Sequence, residues 1–183
     1  MRRALFFQLG KLGATVLSLM AAIAAVPVQA GTTQGNAEVT LVRPLSFVLD
    51  DGLDFGNVIN GTTAGTVTVA PDGTRTKTGG VTLANSGSHK AASFAGMGAN
   101  NQRVDISLGA ASVLLVGPGA PMRVHTFVIG STPTAVLTTT PLRFRIGAAS
   151  GVFAFPVGAT LDVAANQLAG KYTGNWSITL DYF

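Results

Sequence analysis

An acidic stretch at residues 50–54 is the first place where the sequence could support chemistry. Asp50, Asp51 and Asp54 surround Gly52, and carboxylates grouped in this way can supply the oxygen ligands that calcium prefers. Their spacing does not match an EF-hand loop, and the dipeptide Asp-Gly is also a turn signal. The stretch therefore predicts a turn, and whether that turn binds a cation stays open.

Two histidines, His89 and His125, are the residues that could act as a general base. Such a base needs a nucleophile and an orienting partner within hydrogen-bond reach. His89 lies in a polar loop beside two serines, and His125 lies in the apolar run 122–129, where Asp105 could face it across a sheet. The sequence has no G-x-S-x-G motif, zinc-binding spacing or phosphate-binding loop. We therefore predict no catalytic site, no metal and no small-molecule cofactor, and we do not expect an enzyme.

The first thirty residues resemble a secretory leader. Arg2, Arg3 and Lys11 form a basic start, an apolar run follows over 12–26, and Val28-Gln29-Ala30 is typical of a cleavage site. The apolar run is short for a membrane span, which favours removal over anchoring. We expect a signal peptide at 1–30, cleavage after Ala30, and an exported protein in the periplasm, at the cell surface or outside the cell.

The charge of the remaining chain excludes one class of partner. Removing 30 of the 183 residues leaves 153, and the leader holds three of the twelve Lys and Arg residues, so the net charge falls from +4 to +1. Without a Lys/Arg cluster, nucleic-acid binding has no electrostatic basis. The chain also lacks cysteine, so its stability must come from packing and from sheet hydrogen bonds.

Apolar residues alternate with polar ones along several short segments of the chain. The alternation covers 66–69, 103–108 and 142–146, and less regular apolar runs cover 111–116, 122–129 and 152–157. Turn residues separate these segments, as in Pro71-Asp72-Gly73 and Gly117-Pro118-Gly119. This pattern predicts an all-β chain in which residues 31–183 form a single antiparallel β-sandwich or small barrel.

The last residues of the chain contain a well-patterned strand. Its apolar face comprises Trp176, Ile178, Leu180 and Tyr182, and the residues between them are polar. A terminus usually frays, so a good strand there needs a reason. We expect the apolar face to lie on the sandwich interior and the strand to belong to the core.

Two motifs carry a resemblance to a known group of proteins. L-D-F-G occupies 53–56, and G-K-Y-T-G occupies 170–174 before the final strand. Together they resemble a family of secreted bacterial proteins with a domain of unknown function. The terminal pattern with its penultimate Tyr182 also looks like the last strand of spore-coat-U-like and chaperone–usher pilus subunits. That resemblance implies an immunoglobulin-like, pilin-like sandwich that is assembled into surface fibres, with related subunits and a periplasmic chaperone as partners.

The motif residues have structural roles that follow from their chemistry. Gly56, Gly170 and Gly174 lie where a strand begins or bends, so a positive φ or a close backbone approach is expected there. Phe55 precedes the first of these glycines as an apolar anchor. Tyr172 can bury its ring while its hydroxyl reaches a backbone partner.

Three functions remain open at this point. The first is a fibre subunit that completes its sheet with a strand from a neighbour, for which the donor face would be Ala37, Val39 and Leu41. The second is a self-contained module that binds a glycan or a protein through its loops. The third is a small outer-membrane barrel, against which the phase of Phe183 argues. We favour the fibre subunit, and whether the 37–49 segment pairs within its own domain or in a neighbour stays open.

Overall fold

The computed structural model describes residue 39 and residues 44–182, and all regular secondary structure in that part is β-strand. The strands are β1 (Ser46–Asp51), β2 (Val58–Ile59), β3 (Gly65–Val69), β4 (Arg75–Gly79), β5 (Thr82–Leu83), β6 (Ala92–Met97), β7 (Arg103–Leu108), β8 (Ser112–Leu115), β9 (Met122–Ile129), β10 (Ala135–Val136), β11 (Leu142–Arg145), β12 (Val152–Val163) and β13 (Ile178–Tyr182). No helix long and apolar enough to cross a membrane occurs within these residues.

An eight-stranded antiparallel sheet is built around the long strand β12. Val157 pairs with β6 through Ala92 and with β9 through Ile129, so these two strands flank β12 on opposite edges. From Ala159 to Val163, β12 pairs with β3 instead of β6 on this edge. The outer positions belong to β1 beside β6, β4 beside β3, and β8 and β10 beside β9.

A second, three-stranded sheet has the order β11-β7-β13. Along β7, residues 104, 106 and 108 are buried and the residues between them are not, as expected for a strand with one face on a core. Ile106 and Leu108 join the same buried cluster as Val67, Val69 and Leu161 of the large sheet. The two sheets therefore share one core, and the predicted all-β sandwich with antiparallel sheets is confirmed.

The short strands β2 and β5 form a separate two-stranded sheet. The predicted turn at 71–73 connects β3 to β4, and its Gly73 donates a backbone hydrogen bond of 2.9 Å to the Ala70 carbonyl. The predicted turn at 50–54 is wrong. Asp50 and Asp51 are the last residues of β1, and Asp54 pairs with Lys90 through an isolated antiparallel bridge.

Candidate functional site

The two sequence motifs meet at one cleft of about 970 Å³. One wall is formed by residues 53–57 and the other by residues 170–174. The floor is apolar and is provided by β8, β9 and β12 through Val113, Leu115, Met122, Val124, Leu161 and Val163. Segments that lie more than a hundred residues apart in sequence thus form one site.

The L-D-F-G segment is fixed by its own turn and by one arginine. Gly56 has a φ of 70°, a conformation that glycine adopts without a steric penalty, and its N–H donates to the Asp54 Oδ1 at 2.8 Å. Arg75 donates through Nη1 to the Phe55 carbonyl at 3.0 Å and through Nη2 to the Ala84 carbonyl at 2.7 Å. Phe55 itself is buried in the core. The buried Phe55 ring and these hydrogen bonds therefore hold the segment in place at one wall of the cleft.

The G-K-Y-T-G segment closes on the loop between β8 and β9. Gly119 N–H donates to the Tyr172 hydroxyl at 2.9 Å, Gln167 Nε2 donates to it at 2.8 Å, and the hydroxyl donates to the Leu168 carbonyl at 2.8 Å. Thr173 exchanges both backbone hydrogen bonds with Val116. This segment holds the C-terminal part of the chain against the large sheet.

The two glycines of this motif lie where space is short. A Cβ on Gly174 would lie 2.5 Å from the Leu114 carbonyl oxygen, so the backbones approach more closely than a side chain permits. Gly170 lies against the ring of Pro118 in the same way. Gln167, which is buried, was not identified from the sequence, because its partners Tyr172 and Ala120 are brought to it only by the fold.

Replacing Tyr172 by phenylalanine tests this segment. The variant keeps the ring but removes the hydroxyl, which leaves Gln167 Nε2 and the Gly119 N–H each without one partner. An unsatisfied buried polar group costs about 1–3 kcal/mol. Because Gly119 is only half-buried and Gln167 Nε2 still donates to the Ala120 carbonyl, we expect a loss of about 1 kcal/mol in the free energy of unfolding in urea. Lys171→Ala, on an exposed neighbour, serves as the control and should stay within about 0.5 kcal/mol of the parent. Equal stability of Tyr172→Phe and the parent would contradict the account.

The final strand begins at Ile178, two residues later than the alternation suggested. Trp176, Ile178 and Leu180 pack against the core, whereas Ser177, Thr179 and Asp181 are exposed, so the predicted phase is confirmed for these residues; Tyr182 is half-buried. Trp176 lies at the end of the cleft and stacks on Phe127 with ring centroids 4.8 Å apart. Tyr182 accepts a hydrogen bond from the Ala99 N–H through its hydroxyl at 3.1 Å.

The edge of β13 carries the most distinctive backbone feature of the site. Gly109 N–H donates to the Ser177 carbonyl at 3.0 Å, which makes these residues a hydrogen-bonded pair of the β7–β13 ladder. Because such pairs alternate along antiparallel strands, the backbone N–H and C=O groups of Ile178 and Leu180 point away from β7. Among the described residues β7 is the sole strand paired with β13, so these groups line an edge that no described strand covers.

Other residues singled out from the sequence have different positions. Ala37 and Leu41 lie outside the described residues, as does the leader, and Val39 is 81% exposed. Asp51 forms an ion pair with Lys90, and the Asp54 carboxylate accepts a hydrogen bond from the Gly56 N–H. Within the described part of the chain, no group of three His, Cys, Asp or Glu side chains could hold a metal ion. His89 lies exposed in the loop before β6.

Asp105, which could have faced His125 across a sheet, does not do so. Asp105 lies on β7 of the small sheet and binds Arg143 at 3.1 Å, whereas His125 lies on β9 of the large sheet. The carboxylate that faces His125 is Asp162 of β12, at 3.1 Å from Nε2. The sequence did not reveal this pair, because it depends on the register between β9 and β12.

Asp162 is held in its ionised form by its neighbours. Partial burial disfavours the charge, but hydrogen bonds from Arg123 and His125 outweigh it and lower the pKa of Asp162 below its ordinary value of 3.8. A lowered folded-state pKa gives stability that is present above about pH 4 and is lost as the pH falls through the folded pKa. Asp162 is 37% exposed, so this contribution is about 1 kcal/mol or less.

Replacing Asp162 by asparagine should therefore have a pH-dependent effect. We expect Asp162→Asn to be less stable than the parent near pH 7 by up to about 1 kcal/mol, and the difference to shrink as the pH falls below about 4. Urea unfolding at a series of pH values measures it. Asp181→Asn, on an exposed carboxylate, is the matched control. A difference that is constant from pH 7 to pH 3 would contradict the assignment.

Comparison with known proteins adds one finding. Residues 45–182, well over half of the chain, match the family described as Domain of unknown function (DUF4402). No curated protein and no solved structure matches the chain significantly. The match, from Leu45 to Tyr182, includes both walls of the cleft and every described strand.

Proposed function

Since this chain belongs to the DUF4402 family of domains of unknown function, we propose its role from the fold and the site: an exported structural subunit of a surface fibre. The subunit has an immunoglobulin-like, pilin-like sandwich and assembles by β-strand complementation. Its partners are other copies of itself or related subunits, with a periplasmic chaperone during export. The observation that carries the proposal is the edge of β13, whose outward N–H and C=O groups pair with no described strand.

An edge of this kind favours pairing with another chain. Natural sheets protect their edges with lysine, proline, bulges or covering loops, because unpaired backbone groups are a template for strand addition. β13 has the sequence I-T-L-D-Y, with one charged residue and no proline, and Ile178 and Leu180 are only half-buried. A strand added at this edge would gain main-chain hydrogen bonds and cover both side chains.

The segment that would supply this strand is 37–41. Its apolar residues Ala37, Val39 and Leu41 alternate with polar ones, so an extended conformation places all three on one face. In a neighbouring copy, that face would lie on the core side beside Ile178 and Leu180. The predicted export signal, the donor segment and the edge of β13 together support a subunit that assembles outside the cytoplasm.

A self-contained binding module is the second candidate, and the cleft is the observation that favours it. The cleft is large enough for a small ligand, and it combines an apolar floor with polar groups of Asp54, Asn57 and Lys171 at its walls. Trp176 at its end offers an aromatic surface for a sugar ring or an apolar side chain. A glycan or peptide that protects Trp176 from fluorescence quenching in a protein that stays monomeric would favour this role.

The size of the purified protein separates the two candidates. We expect residues 31–183, measured by light scattering over a range of concentrations, to form assemblies that grow beyond a closed dimer. Head-to-tail strand donation generates open chains, because each subunit both gives and accepts a strand. A monomer of constant mass at all concentrations would contradict the fibre-subunit role.

A further inference from the structure

A β-bulge distorts strand β9 on the outer face of the large sheet. His125 pairs with Thr160 and Val128 pairs with Gly158, so three steps along β9 face two steps along β12. The additional residue is Thr126, whose φ of 51° is a rare conformation for a β-branched side chain. Bulges of this kind redirect side chains and occur often beside functional sites.

The bulge brings two consecutive side chains to the same face. Val124 and Phe127 are both buried, and His125 and Thr126 between them both lie on the outer side. In a regular strand these two side chains would point to opposite faces. As a result, the Thr126 hydroxyl oxygen lies 2.7 Å from His125 Nδ1.

A chain of hydrogen bonds continues from the imidazole. His125 Nε2 lies 3.1 Å from Asp162 Oδ1, and Arg123 Nε donates to Asp162 Oδ2 at 2.9 Å. The ionised Asp162 can only accept, so the ring proton belongs on Nε2. In the neutral imidazole Nδ1 is then an acceptor, and the Thr126 hydroxyl can donate to it. The order nucleophile, base and orienting carboxylate is the arrangement that activates a hydroxyl.

Thr126 also lines a shallow cleft of about 590 Å³ on this face. The cleft wall beside it includes Val128, Pro156 and Ala159, which are apolar. A small apolar group bound there would lie next to the Thr126 hydroxyl. The site is separate from the motif-lined cleft, with which it shares none of its lining residues.

We propose that Thr126 is an acyl-accepting nucleophile, activated by His125 and positioned by Asp162, that takes one acyl group from an activated ester. The Thr126 oxygen bonds to the acyl carbon while its proton passes to His125 Nδ1. The bond from that carbon to the leaving oxygen breaks, and the leaving oxygen takes the proton from the imidazolium. The products are an ester on Thr126 and a free alcohol or phenol. The step is a single acylation of the protein and does not depend on the fibre-subunit role.

The test uses p-nitrophenyl acetate and the protein comprising residues 31–183. We expect release of about one equivalent of p-nitrophenolate, with one acetyl group mapped by mass spectrometry to the peptide that contains Thr126. Thr126→Ser should keep the reaction, and His125→Gln should slow it roughly a hundredfold, the size of a general-base contribution. Asp162→Asn should also slow it, and Asp162→Glu should restore part of the rate.

Controls on the same protein keep the outcome decisive. Thr160 lines the same cleft, but its hydroxyl is hydrogen-bonded to the Thr68 hydroxyl at 2.9 Å, and it should remain unmodified. Lysine amines react with this ester without help from His125, so their acetylation should be equal in His125→Gln. Acetylation confined to lysines, equal acetylation of Thr126 and Thr160, or a rate unchanged in His125→Gln would overturn the proposal. The sites of acetylation on the parent protein are mapped without any variant, so the first two of these outcomes can be decided even if a variant does not fold.

Discussion

Replacing Trp176 by alanine is expected to remove about 3 kcal/mol from the free energy of unfolding. Truncation of a large aromatic side chain in a core costs about 3–5 kcal/mol, and Trp176 is partly buried against the core, which places it at the lower end. The indole stacks on Phe127 at 4.8 Å and meets Phe94 edge-on at 5.6 Å. Both phenylalanines are buried in the large sheet. Trp176, two residues before the final strand, therefore packs the start of the C-terminal segment against the large sheet.

A loss of this size is large for one domain, because total stability is about 5–15 kcal/mol. Urea unfolding followed by circular dichroism measures it, since the substitution removes the fluorescent probe. Trp176→Phe should recover a large part of the loss by keeping a ring against Phe127. Thr179→Ala, on the exposed face of β13, should change stability by about 0.5 kcal/mol or less. A mild effect of Trp176→Ala would mean that the C-terminal segment is not part of the core.

Deleting residues 31–42 is expected to abolish assembly and leave a folded domain. The deletion removes the proposed donor segment and retains every described strand. Light scattering should then give a monomer at concentrations where the parent protein assembles. The sheets should remain, because their pairing lies within residues 46–182.

Rescue by a peptide distinguishes a donor from a segment that the fold merely needs. A synthetic peptide covering residues 35–43 should bind the deleted protein and raise its thermal midpoint, because a ligand that binds only the folded state stabilises it. The same peptide with Val39→Lys is the matched control and should bind weakly, since it interrupts the apolar face. A deleted protein that is unfolded and is not rescued would instead indicate that 31–42 pairs within its own domain.

Regular alternation made several strands predictable. β3, β7 and β11 alternate because one face of each lies on the core, and the run predicted at 122–129 has the same bounds as β9. β6, with the sequence A-S-F-A-G-M, was missed because alanine, serine and glycine give little apolar contrast. β4, with the sequence R-T-K-T-G, lies at a sheet edge and contains only polar residues and glycine, so it shows no apolar alternation.

The site was predictable only in its local parts. The sequence indicated structural roles for Gly56 and Tyr172, but it could not indicate Arg75, which reaches the Phe55 carbonyl from the next hairpin, or Gln167, which also binds the distant Ala120. A local signal for the bulge was present. The polar pair His125-Thr126 lies inside the apolar run 122–129 and changes the phase of its buried positions, which is what an additional residue in a strand produces. The partner Asp162 required the three-dimensional register.

Amide hydrogen exchange at the final strand tests the central claim most directly. In the protein lacking residues 31–42, the amides of Thr179 and Asp181, which point to β7, should exchange slowly, whereas those of Ile178 and Leu180 should exchange fast. Adding the 35–43 peptide should slow exchange at Ile178 and Leu180, and the Val39→Lys peptide should not. If these two amides are already protected without the peptide, or stay unprotected when it is bound, strand addition beside β13 is contradicted.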